Sequence, residues 1–86
     1  MDKTITLKVL GPADFDILLA VPDGLFDETM RPEQVRAFLD DPLHECVLAF
    51  DGDLAVGMAT GVIMFHPDKA PSMFVNEVGV RALAGL

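Results

Sequence analysis

Cys46-Val47-Leu48-Ala49-Phe50-Asp51-Gly52-Asp53-Leu54-Ala55-Val56-Gly57 reads as an apolar run, a turn and a second apolar run. Asp-Gly between two such runs favours a tight hairpin, because glycine takes the positive φ that the turn requires. The reading is a strand over 45–50, a turn at Asp51-Gly52-Asp53 and a long strand over 54–65. Gly57 and Gly61 lie inside the second strand, where glycine marks a bulge or the close approach of a helix or ligand. Downstream, His66-Pro67-Asp68-Lys69-Ala70-Pro71 is a loop and Ser72–Val80 a further strand. Strict alternation puts Met73, Val75, Glu77 and Gly79 on one of its faces and Phe74, Asn76, Val78 and Val80 on the other.

Upstream of the hairpin the periodicity changes. Ile5, Leu7 and Val9 alternate with Thr4, Thr6 and Lys8, the pattern of a strand over Ile5–Val9. Gly11-Pro12 ends it, and Pro12 opens a short helix to about Val21 with Phe15, Leu18 and Leu19 as its apolar stripe. Asp14 and Asp16 favour the positive end of that helix. Pro22-Asp23-Gly24 is a turn, 25–30 a connector, and Pro32 starts a second short helix that Asp40-Asp41-Pro42 ends. Helices this short need a sheet to pack on. The fold class is α+β, in the order β-α-α-β-β-β, with two short helices on a curved, mixed or antiparallel four-stranded sheet. Its expected core includes Leu7, Val9, Phe15, Leu18, Phe38, Leu39, Leu48, Phe50, Val56, Met58, Val62 and Val78.

Size and charge bound what such a chain does. Its 86 residues support one hydrophobic core, so 1–86 is read as a single domain. The net charge of -8 comes from 14 acidic against 6 basic residues, and it repels phosphate backbones and anionic lipid. Neither a nucleic-acid nor a membrane partner is expected; solubility or attraction of a cationic substrate remain. Lys3, Lys8, Asp14 and Asp16 interrupt the apolar residues near the start, so a cytoplasmic location is expected. Cys46 has no second cysteine to pair with, and its apolar surroundings make it a small buried hydrophobe. His44, His66 and Cys46 supply too few ligands for a closed zinc site, and no metal is expected.

Four segments carry a resemblance to a known family: Ile5-Thr6-Leu7-Lys8-Val9-Leu10-Gly11-Pro12, the helix pair, Phe50-Asp51-Gly52-Asp53-Leu54-Ala55-Val56-Gly57, and Asn76-Glu77-Val78-Gly79-Val80. In this order they resemble the front half of a GNAT-type, acetyl-CoA-dependent N-acetyltransferase, in particular the group that includes aminoglycoside 3-N-acetyltransferases. The resemblance implies transfer of an acetyl group from acetyl-CoA to a primary amine by direct attack on the thioester carbonyl. Backbone polarisation of its oxygen and protonation of the departing thiolate complete that mechanism. It also implies that the main chain of Val78, Gly79 and Val80 runs beside the pantetheine arm of acetyl-CoA. Glu77 would then take a proton from the amine, directly or through water, and Asp27 and Glu28, with Asp23, would attract the amine. The residues alone leave other roles open: Gly79 packed beneath a helix, Glu77 facing solvent or a basic partner, and the three connector acids simply solvated.

The family pattern continues with an Arg/Gln-x-x-Gly-x-Gly/Ala loop whose backbone donors and following helix hold the pyrophosphate. Arg81-Ala82-Leu83-Ala84-Gly85-Leu86 carries one glycine and no second basic residue. The expectation is a truncated acetyltransferase-like domain, inactive as an isolated chain. The alternative is a non-catalytic interaction or structural domain that associates through an open sheet edge. Ser72–Val80 contains no proline, and a homodimer is expected through it, with Met73, Phe74, Val75, Val78 and Leu83 or Leu86 near the contact.

Overall fold

Gly52 takes φ +60° in the turn at Asp51-Gly52-Asp53, and the strands on either side of it form the centre of the sheet. The computed structural model describes residues 4–81. Its strands are β1 (Ile5–Val9), β2 (His44–Asp51), β3 (Leu54–Met64) and β4 (Ser72–Val80). They lie in the order β1-β2-β3-β4 with every pairing antiparallel. Between β1 and β2 come a 3-10 turn (Pro12–Asp14), helix α1 (Phe15–Leu19) and helix α2 (Pro32–Asp40), which pack on the sheet. The element order is thus the β-α-α-β-β-β read from the sequence. No described helix is long and apolar enough to cross a membrane.

Local chemistry sets the helix boundaries. Pro12 suits the first turn, where it lacks only an N–H that would go unpaired, and Asp14 Oδ2 accepts the Gly11 N–H at 2.8 Å. The first helix is shorter than its apolar stripe suggests: after Leu19, the chain turns at Ala20 and Val21. In α2, Val35 and Leu39 are one turn apart and buried, and Phe38 packs beside them. Arg36 ties the two helical segments together: its guanidinium lies 5.0 Å over the Phe15 ring and donates to the Pro12 carbonyl at 2.5 Å. It also meets Asp40 at 3.0 Å.

Two register shifts interrupt the sheet. One falls where Ala49 pairs with Gly57 but Phe50 pairs with Ala55, leaving Val56 as an extra residue in β3. The other falls where Thr60 pairs with Glu77 but Gly61 pairs with Val75, leaving Asn76 extra in β4. At Gly61 an added Cβ would meet Met73 Sδ at 2.6 Å and the Phe74 carbonyl at 3.0 Å, so this glycine serves the close approach of β4. The bulge at Asn76 corrects the strict alternation expected for β4: Val75 shares a face with Val78 and Val80, opposite Glu77 and Gly79.

The core is the helix-covered side of the sheet: Cys46, Leu48, Ala55 and Met58 pack against Leu18, Val21, Leu25, Val35 and Leu39. Of the expected core, Leu18, Leu39, Leu48, Val56 and Met58 are buried, and Phe15, Phe38, Phe50 and Val62 are partly so. Leu7, Val9 and Val78 are corrections, being 73%, 65% and 70% exposed. They lie on the face opposite the helices, together with Val47, Ala49, Ala59 and Val80, because the cross-strand partners of an antiparallel ladder share a face. On β1 it is Thr6 and Lys8 that share the helix-covered side, where Lys8 Nζ reaches Asp14 at 3.6 Å.

Candidate functional site

The segment between α1 and α2 carries Asp23, Asp27 and Glu28, and strand β4 positions it in two places. Gly24, at φ +105°, turns the chain beside Arg81 in a conformation that glycine adopts without a Cβ penalty. Arg81 then holds the turn: its Nη1 donates to the Asp23 carbonyl at 2.7 Å and its Nη2 to the Pro22 carbonyl at 3.1 Å. Its Nε donates to the Ala55 carbonyl at 3.1 Å, and its backbone N–H to the Val56 carbonyl at 2.7 Å. One residue further along, the Leu25 carbonyl lies 3.0 Å from where a Cβ on Gly79 would sit. Any larger residue at position 79 would push the connector away from β4.

This closure forms a cavity of about 410 Å³ between the connector, the helices and the sheet. Glu77, Asp27 and Glu28 all line it. Leu18, Val35 and Cys46 are its buried apolar floor, and Phe26, Met30 and Phe38 are partly buried walls. Asp27, Glu28, Thr29, Arg31 and Gln34 form an exposed polar rim, in which Arg31 and Glu28 approach to 4.0 Å. On the sheet side, Thr60 pairs with Cys46 on β2 and with Glu77 on β4, so these three side chains share the helix-covered face. Glu77 is half-buried. Burial first, and the Glu77 carboxylate second, push the Cys46 thiol from an ordinary 9.0 up to about 11, so the thiol is protonated at neutral pH.

Thr60 is the residue that sequence reasoning missed. It is 6% exposed, and its hydroxyl has no hydrogen-bond partner among the described residues. The only signal for it was its position two residues after Met58, on the same face of one strand.

Val78, Gly79 and Val80 do not line this cavity; they follow Glu77 along β4, which is an edge strand among the described residues. In an antiparallel ladder the hydrogen-bonding direction alternates, and the N–H of Arg81 points at β3. The main-chain groups of Gly79 therefore point at β3 as well, and those of Val78 and Val80 point outward. Asp23 contributes its carbonyl to Arg81 and is absent from the cavity that Asp27 and Glu28 line. His44 pairs with Asp41 at 3.3 Å and His66 Nε2 with Ser72 Oγ at 2.9 Å. No group of three or more His, Cys, Asp or Glu among the described residues is placed to hold a metal ion.

No family model matches the chain, and no curated protein matches it in sequence. Solved structures do match it in shape. An aminoglycoside acetyltransferase from an uncultured soil metagenomic sample, solved in complex with sisomicin, superposes with a TM-score of 0.75 at 12% identity, over 90% of this chain and 56% of that one. An aminoglycoside 6'-N-acetyltransferase from Acinetobacter baumannii gives 0.66 at 15% identity, over 91% and 58%. A GNAT family acetyltransferase from Staphylococcus aureus gives 0.72 at 14% identity, over 92% and 64%. The likeness is one of fold: the chain has a GNAT acetyltransferase-like fold and spans little more than half the length of these structures.

Proposed function

We propose that the cavity between β4 and the connector is an acceptor site for a primary amine, and that this chain is part of an N-acetyltransferase using acetyl-CoA. What supports it is one observation: Glu77, Asp27 and Glu28 line a single cavity beside an edge strand with outward main-chain groups. In this reading the acids of the rim attract the ammonium form of the amine from solution. Glu77 accepts its proton, directly or through water, and so frees the nitrogen lone pair. The outward N–H and C=O groups of Val78 and Val80 pair with the amide-bearing arm of the cofactor, and Gly79 keeps the connector closed over the strand. Acetyl-CoA, when bound, supplies the activated thioester.

The described residues fit the arm of that cofactor better than its diphosphate. The guanidinium of Arg81, the cation next to β4, is committed to the carbonyls of Pro22, Asp23 and Ala55. The resemblance to the aminoglycoside 3-N-acetyltransferase group makes an aminosugar the first acceptor to compare with others. Calorimetric titration of the chain with acetyl-CoA tests the reading. Saturable heat at up to millimolar cofactor is expected, and heats equal to blank injections would remove cofactor binding from it.

A second reading is favoured by the exposure of Met73, Phe74, Val75, Val78 and Val80, at 49% to 77%. An edge strand whose outward main-chain groups have no partner strand among the described residues, and whose side chains are apolar, is suited to pairing with another strand. In this reading two copies align their β4 strands across a two-fold axis, and the domain acts through association. Leu83 and Leu86, also expected at that contact, lie outside the described residues.

A further inference from the structure

We infer that the face of the sheet opposite the helices is an interface, and that its occupant is a second copy of this chain packed face to face. Leu7 and Val9 on β1 and Val75, Val78 and Val80 on β4 stand on that face, 58% to 77% exposed, and Ile5 and Met73 extend it at 46% and 49%. Val47, Ala49, Gly57 and Ala59 join the two sets across β2 and β3, so the apolar surface runs from one edge of the sheet to the other. Among the described residues of the strands, the charged ones on this face are Glu45 and Asp51, in register near the two ends of β2. At these exposures the seven large side chains open on the order of 600 Å² to water, the upper end of what monomers leave uncovered. Two such faces in contact would bury about 1,200 Å², above the roughly 1,000 Å² that a specific interface needs.

The placement of charge selects the occupant. Segment 12–41 carries eight acidic and two basic residues, a net -6 of the -8, and it forms the turn, helices and connector on the other side of the sheet. A charged partner would find only Glu45 and Asp51 to read on the open face, whereas a second copy brings an apolar face of the same kind. Face-to-face packing also puts the two acidic layers on the outside. Packed sheets stand about 10 Å apart and a helical layer adds about 10 Å on each side, so these layers lie roughly 30 Å apart, beyond the Debye length of about 8 Å at physiological salt. Pairing at the β4 edge does not replace this contact, because it extends the sheet in its plane and leaves the apolar face as open as before. A two-fold axis between the sheets makes the contact isologous, with side chains of two twisted sheets interdigitating as in a sandwich.

The interface stands on the open face and not on the amine cavity, so the outcome of the acetyl-CoA titration does not bear on it. The test compares the full chain with the double variant Leu7→Lys/Val9→Lys and with Glu33→Lys by sedimentation equilibrium. Each variant takes the net charge from -8 to -6, so a loss of association in the first alone does not come from long-range repulsion. Leu7 and Val9 are exposed on β1, the edge of the sheet far from β4, and Glu33 is exposed on α2. Leu7→Lys/Val9→Lys should weaken dimerisation at least roughly tenfold, and Glu33→Lys should leave it unchanged or tighter. In the unsubstituted chain, NMR of mixed-label dimers should show intermolecular methyl contacts from Leu7 and Val9. A species of about four times the 9.3 kDa chain mass would show face and edge contacts together, and Leu7→Lys/Val9→Lys should then reduce it to a dimer. A single 9.3 kDa species at tens of micromolar, a dimer undiminished by Leu7→Lys/Val9→Lys, or protected Val78 and Val80 amides without intermolecular contacts at Leu7 and Val9 would each overturn the inference; the last assigns the dimer to the β4 edge alone. If Leu7→Lys/Val9→Lys does not fold, the methyl contacts of the unsubstituted chain still decide it.

Discussion

Cys46 connects the core to the cavity, since one side chain is both 1% exposed and part of the floor. Its thiol is raised to about 11 in the folded chain, so folding binds the proton more tightly than the unfolded chain does. The stabilisation from the neutral thiol is complete below about pH 9 and is lost as pH rises through about 11; it amounts to about 2 to 3 kcal/mol at most. Urea midpoints at pH 8 and pH 10.5 should fall more in the unsubstituted chain than in Cys46→Ala, and parallel falls would show that the thiol is not the cause. The burial of Cys46 was legible in its apolar run. The structure brings Glu77, Asp27 and Glu28 to one cavity, a juxtaposition that no spacing between positions 27 and 77 announces. Thr60 was not legible, because a threonine in a strand is ordinary and its hydroxyl usually meets water.

At the scale of elements, alternation defines two faces of a strand without saying which is covered. Ile5, Leu7 and Val9 are the apolar set of β1, yet Thr6 and Lys8 face the helix side because the register with β2 aligns them with Phe50 and Leu48. The face of β4 failed differently: one extra residue at Asn76 inverts the phase before it, and nothing in Ser72–Val80 marks the place. The turn at Pro22-Asp23-Gly24 was legible, but the partner that holds it was not. Gly24→Ala should cost about 1 to 2 kcal/mol, because alanine is strained at φ +105° and its Cβ would sit 2.9 Å from Arg81 Nη1. Denaturant melts of Gly24→Ala, Arg81→Ala and the double variant check this. Non-additivity is expected, since both substitutions disturb the same contact.

For the whole molecule, charge and edge exposure act against each other. The net charge of -8 opposes self-association, but Glu77 is the single charged residue in Ser72–Val80, so the strand itself carries little of it. Each large side chain fully buried in a contact would contribute about 1.5 to 3 kcal/mol. Sedimentation equilibrium at tens of micromolar should report about twice the 9.3 kDa chain mass, and a single 9.3 kDa species over that range would remove the homodimer. In the two readings proposed above, acetyl-CoA shifts the balance toward the monomer, because cofactor and second copy would compete for the same outward groups of Val78 and Val80. The Arg81 clamp also orders events in time. Its bonds join residues 26, 58 and 59 positions apart, so the rim bearing Asp27 and Glu28 is secured only after β4 has docked on the hairpin. A partly folded chain whose β4 is undocked therefore has its helices and hairpin but no shaped cavity.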